Sequence, residues 1–153
     1  MIKEIWNTLT PSGKRSLSLS VTGFTLYALS GIAMMYIVLK ALEAVISGGG
    51  NLLWYWVALV ACLLIKGGSN ILADVRKHYA GFDIVYQVRK NIIYRLKEFS
   101  LGFYTNERLG EISTIIHKDV DKMEMVVGHV WTRMLADFIV SAVLLTALVV
   151  YSP

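Results

Sequence analysis

The chain has 153 residues, 56% of them hydrophobic and 17% charged, with a mean hydropathy of +0.56. Soluble domains run at about 45–50% apolar and about 25% charged, and a chain this short has too little interior to hide the surplus; an ordinary soluble domain is therefore excluded, as are disorder, collagen and low-complexity classes. The net charge of +4 is modest and the lone Cys62 forms no internal disulfide, which removes the disulfide-stapled secreted class and leaves the placement of the charges as the informative feature.

In chain order, Ile2, Ile5, Trp6 and Leu9 fall on one helical face, with Lys3, Glu4 and Asn7 off it, before Thr10-Pro11-Ser12-Gly13 breaks the pattern. This predicts a short amphipathic elbow helix over 1–13, lying in a membrane interface. From Ser16 to Leu39 there are 24 consecutive uncharged residues. About 20 suffice to cross a bilayer, and the run is too long for the core of a cleaved signal peptide, so 16–39 is the first expected span. Ser47-Gly48-Gly49-Gly50-Asn51 reads as a turn within an uncharged stretch of 22 residues ended by Lys66, and Trp54, Tyr55 and Trp56 suit an interfacial aromatic belt. The second span is placed over 44–65. A third apolar run, Phe138 to Tyr151, is 14 residues long and reaches spanning length only if the helix begins near Val130. The third span, 130–151, then carries Arg133 and Asp137 at i,i+4 spacing, either as a structural ion pair at the interface or as a polar point on a transport pathway.

Between the second and third spans lies a polar segment, 66–124, with 18 of the 26 charged residues, ten basic and eight acidic. Its apolar residues are periodic: Ile71, Val75, Tyr79, Phe82, Val85, Val88, Ile92, Leu96, Phe99 and Phe103 follow steps of three and four, at a mean near the α-helical period. No proline interrupts them. The second span is therefore expected to run on as one helix to about residue 100, where 35 residues would reach roughly 50 Å. The pattern breaks at 100–110 and resumes as Leu109, Ile112, Ile116, Val120, Met123 and Val127, leading into the third span. The fold class expected is an all-α membrane protein of three transmembrane helices, the second and third extended into a long helical hairpin with a short polar element at its tip. Lys3, Lys14 and Arg15 before the first span and ten basic residues in the segment 66–124, against Lys40 alone in the short loop, place the N-terminus and the stalk in the cytoplasm of a multi-pass plasma-membrane protein. An ordered stalk with a polar tip suits docking onto a cytoplasmic machine.

The stretch Val88-Arg89-Lys90-Asn91-Ile92-Ile93-Tyr94-Arg95-Leu96-Lys97-Glu98-Phe99-Ser100-Leu101-Gly102-Phe103-Tyr104, then Leu109-Gly110-Glu111-Ile112 and Lys118-Asp119-Val120-Asp121-Lys122-Met123-Glu124, resembles the first intracellular loop of exporter-type ATP-binding cassette (ABC) transporters. Gly128-His129-Val130 is similar to a siderophore-related and cysteine/glutathione-type subgroup of that family. The resemblance implies that Thr105, Asn106, Glu107, Arg108, Leu109 and Gly110 form a coupling helix seated on nucleotide-binding domains, anchored by Phe103 and Tyr104. Where the family has a second large aromatic and an acid before the tip, this chain has Thr105 and Asn106. The resemblance further implies partners: the lipid bilayer, nucleotide-binding domains, further transmembrane helices and a second transporter half in a homo- or heterodimer. The chain holds no G-x-x-x-x-G-K-[ST] phosphate loop, so no cofactor is assigned to it, and ATP with Mg is expected in an ATPase domain elsewhere. The chain thus looks like the N-terminal half of a transmembrane domain, a fragment or a truncated gene product.

No catalytic constellation and no metal site is assigned. His78 is four residues from Asp74, and His117 lies near Asp119 and Asp121, spacings more often solvated than ligating. Cys62 reads as packing, and Gly23, Gly31, Gly67 and Gly68 as sites of close helix approach or a kink. Basic residues matched by acids beside a membrane disfavour nucleic acid as a partner. Against the transport reading stand a membrane sensor signalling through a helical stalk and a stalked ion channel. The returning third span disfavours the sensor, and the missing filter motif disfavours the channel.

Overall fold

The computed structural model describes residues 2–48 and 50–151, and of Ile2 only the backbone. Among the described residues the chain is helical apart from short turns and contains no strand. Helix α1 spans Ile2–Thr8 and α2 spans Pro11–Ile46. Pro11 opens α2, where its fixed φ is preorganised and its missing N–H would have had no partner. The turn after α2 contains Gly48 at φ 67° and Gly50 at φ 118°, backbone conformations that side chains with a Cβ rarely adopt. Asn51 then caps α3 (Leu52–Leu96), its Oδ1 accepting from the Leu53 N–H at 3.1 Å. A 3₁₀ turn, Leu101–Phe103, precedes α4 (Asn106–Thr114). From there the helix continues through a π segment (Ile115–Asp119), α5 (Val120–Glu124), a second π segment (Met125–Trp131) and α6 (Thr132–Tyr151). Three helical stretches, Pro11–Ile46, Leu52–Leu96 and Asn106–Tyr151, are long and apolar enough to cross a membrane. The expected all-α class with three such helices is what the structure has.

The chain falls into two compact units, Met1–Leu19 with Val75–Thr132 and Ser20–Asp74 with Arg133–Pro153. Six of the 26 charged residues lie in the second unit. In the first unit, the later half of α3 and the returning helix run antiparallel. A Cβ built on Gly128 would sit 3.0 Å from the Lys77 carbonyl oxygen, and one on Gly81 2.7 Å from Glu124 Cγ; Arg89 Nε donates to the Ile116 carbonyl at 3.2 Å and its Nη2 to Asp121 Oδ1 at 2.6 Å. Between these arms Ala80, Ile84, Val85, Val120 and Val127 form a core that Leu9 and Leu17 complete. In the second unit α2 and α3 pack through Gly23, where a Cβ would sit 2.9 Å from that of Ala73, and through the Ser20 hydroxyl, which donates to the Ala73 carbonyl at 2.9 Å. Phe24, Ala73 and Ala136 are buried together there.

Three sequence expectations are corrected. The span placed over 44–65 straddles a turn: Ala44 and Ile46 belong to α2, and α3 starts at Leu52. The apolar stripe of α3 is only half its packed face. Val85 is buried and Val88 and Ile92 pack beside the core, whereas Ile71, Val75, Tyr79 and Phe82 are exposed. Small residues decide the difference, because Ala73, Ala80 and Gly81 let backbones approach closely while contributing little to a hydrophobicity pattern. Finally, α1 turns Ile5 and Leu9 toward the core of its own unit, with Leu9 3% exposed, and leaves Trp6 half-exposed beneath the Lys14 ammonium. The Ile2 side chain, part of the same expected face, lies outside the described residues, as do Gly49 of the turn and Ser152 and Pro153 after the expected third span.

Candidate functional site

The expected coupling segment, Phe103 to Gly110, forms a braced and exposed tip. Phe99 and Phe103 stack at 4.3 Å between ring centroids, Tyr104 meets Phe103 edge-on at 5.6 Å, and the Arg108 guanidinium lies 4.6 Å from the Phe103 ring centroid. Such a cluster gains cation–π and quadrupole attraction beyond simple burial. The Tyr104 hydroxyl donates to the Leu96 carbonyl at the end of α3, which also accepts from the Phe99 N–H at 3.2 Å. Backbone bonds from the Phe103 N–H to Ser100 O (2.9 Å) and from the Tyr104 N–H to Leu101 O (3.2 Å) close the 3₁₀ turn.

Thr105, with extended backbone, is the N-cap of α4 and accepts from the Arg108 N–H at 3.3 Å. Glu107 sits in the first turn, where a negative charge favours the helix dipole. Asn106, Glu107, Arg108, Leu109 and Gly110 are all exposed. No separate helix carries Thr105 to Gly110 among the described residues: Asn106 onward are the first turns of the returning helix itself. Leu101, outside the expected segment, is 92% exposed and crowns the tip. It sits one position before a glycine in an apolar Phe-Ser-Leu-Gly-Phe run, which was the available signal.

Along the returning helix, Lys122 Nζ bonds Asp119 Oδ1 at 2.7 Å, and this hydrogen bond, with the ammonium's charge, holds the Asp119 carboxyl below its ordinary range. The pair is exposed and so contributes little to stability. His78 and His129 meet edge-on at 5.2 Å, with His78 Nδ1 3.5 Å from Glu124 Oε1, a spacing that becomes an ion pair only when the imidazole is protonated. Among the described residues no three His, Cys, Asp or Glu side chains are grouped to hold a metal.

Arg133 and Asp137 are both exposed, and the Arg133 guanidinium lies 5.7 Å from the Phe24 ring centroid. The ion pair their spacing would allow does not form among the described residues, because the guanidinium is turned to the ring instead. Lys66, counted in sequence with the cytoplasmic bases, lies in the second unit with its ammonium 5.0 Å from the Tyr27 ring centroid. It faces Gly31, whose Cβ, if present, would sit 3.5 Å from Lys66 Nζ. Gly23 and Gly31 thus both face α3 as expected, while Gly67 and Gly68 face open space. Comparison of the chain with models of known families, with curated proteins and with solved structures finds no match to any of them.

Proposed function

We propose that this chain is permease material of an ATP-driven transporter of the ABC exporter type. Its three long helices line a substrate pathway, and its polar arms couple an ATPase domain's motion to alternating access at a plasma membrane. The observation that carries the reading is the tip: an aromatic-braced turn with Leu101 fully exposed, followed at once by a capped helix start. A solvated loop needs neither the bracing nor the cap, whereas a surface that receives force from a partner must be stiff. Rigidity in the arm behind it comes from the close contacts at Gly81 and Gly128 and from Arg89, which ties both a backbone carbonyl and a carboxylate of the opposite arm.

The partition of charge supports the same assignment. The unit Ser20–Asp74 with Arg133–Pro153 has six of the 26 charges, and the unit with the tip holds the rest. In this reading the N-terminus and the arms are cytoplasmic, the coupling residues are Phe103 to Gly110, and the exposed outer stripe of Ile71, Val75, Tyr79 and Phe82 is covered by further helices of the transporter. The test is crosslinking in the assembled transporter. A cysteine replacing Asn106 is expected to form a disulfide with cysteines in the surface groove of the ATPase domain. Failure across several neighbouring pairs, with the transporter assembled and active, contradicts the proposal.

A further inference from the structure

The start of α3 fixes how deep its first charge lies. With Gly48 and Gly50 in the turn, the helix cannot reach back to Ala44, and only Leu52 to Ile65 precede Lys66. Fourteen residues rise about 21 Å, short of the roughly 30 Å hydrocarbon core. The span must therefore continue through Lys66. The flanking markers agree: Trp54, Tyr55 and Trp56 form the belt at one end, and Arg76 and Lys77 are the next bases along the same helix. Lys66 is ten to twelve residues from each group, about 16 Å either way, which is the middle of the bilayer. On α2 its partner Tyr27 is likewise twelve residues from Arg15 and thirteen from Lys40.

An ammonium at that depth is held by the face of one tyrosine ring and by the gap over Gly31. No carboxylate pairs with it among the described residues. A ring face offsets only part of the lost hydration, and charges at such depth mark pathways for ions and polar substrates. We propose that Lys66 is an anion-binding point at the membrane midplane, taking the carboxylate or phosphate of an amphiphilic small molecule. A phospholipid headgroup is held at the interface, about 15 Å away, so the ligand is cargo and not bulk lipid. The proposal deepens the transport reading and rests on it for the word cargo, but the site itself is testable without ATP.

The probe is dansyl-undecanoic acid, titrated by fluorescence against its neutral amide, with the full chain in phosphatidylcholine nanodiscs. The wild type is expected to prefer the acid at least tenfold beyond the lipid-only control. Lys66→Arg is expected to keep the preference, and Lys66→Gln, with unchanged helical circular dichroism, to lose it. Displacement by decanoate or by decyl phosphate ranks the two anion classes. An equal preference in wild type and Lys66→Gln overturns the proposal. So does an absent preference in the wild type, which would assign the ammonium's counter-charge to a neighbouring protein helix. ATP-driven flux in the assembled transporter is scored separately: flux without charge preference sinks the Lys66 site alone, and charge preference without flux sinks only the transport reading.

Discussion

Asp83 joins two stretches of chain 73 positions apart. Its Oδ2 accepts from the Thr10 N–H and its Oδ1 from the Thr10 hydroxyl, both at 2.9 Å, and the same hydroxyl accepts from the Gly13 N–H at 3.1 Å. The carboxylate thus holds in place the Thr10 hydroxyl that caps the start of α2, where the dipole favours a negative charge. A Cβ on Gly13 would sit 2.0 Å from Asp83 Oδ2. Gly13→Ala and Asp83→Ala are therefore both expected to lower stability by about 1–2 kcal/mol, read as earlier loss of helical signal on heating in detergent, and the double variant by less than the sum because one cap is lost in each. By contrast, the depressed Asp119 carboxyl supports folding above its unfolded pKa and loses that support as pH falls through its folded one. Lying exposed beside Lys122, it is expected to leave melting unchanged in Asp119→Asn at neutral pH. The sequence shows Asp83 only as one of eight stalk acids; its partner is fixed by tertiary packing that no local window contains. The start of α3 at Leu52 was hidden for a related reason, since three consecutive glycines mark a turn without saying which residue begins the next helix.

The returning helix was legible almost residue by residue. Val120 and Val127 are buried and Ile112, Ile116 and Met123 half-buried, as the steps of three and four require. What the pattern hides is the change of period. Val127 and Thr132 are both fully buried yet five apart, the spacing of the π segment Met125–Trp131, and the Thr132 hydroxyl donates to the Gly128 carbonyl at 2.5 Å inside it. Such widened turns are rare and commonly mark functional or hinge positions. Gly128 lies where they bring the helix against the Lys77 carbonyl, a backbone atom with little freedom to move. Gly128→Ala is expected to destabilise by about 1–3 kcal/mol, with Val126→Ala, at a half-exposed position, as the mild control; chemical unfolding in detergent checks both. At the tip, Thr105→Ala removes the α4 cap and is expected to cost about 1 kcal/mol locally, seen as faster hydrogen exchange at Glu107 and Arg108. On α3 the reading was poorer because hydrophobicity gives weight to Ile71 and Phe82 and almost none to Ala80 and Gly81, although the small residues make the contact.

At the scale of the whole chain, composition alone announced a membrane protein, and the three long apolar helices agree with it. Most of their large side chains are exposed: Leu64, Phe138 and Val149 are each more than two-thirds open, a surface that only lipid or further helices can cover. The separation of six charges into one unit and the rest into the other gives the transport proposal its physical basis, one charge-poor unit and one charge-rich unit. Its most direct test is accessibility in intact cells. A cysteine replacing Gly48 is expected to react with a membrane-impermeant maleimide added outside, and one replacing Glu107 only after the membrane is permeabilised. Labelling of Glu107→Cys from outside, or protection of Gly48→Cys, would contradict the orientation on which the coupling role depends.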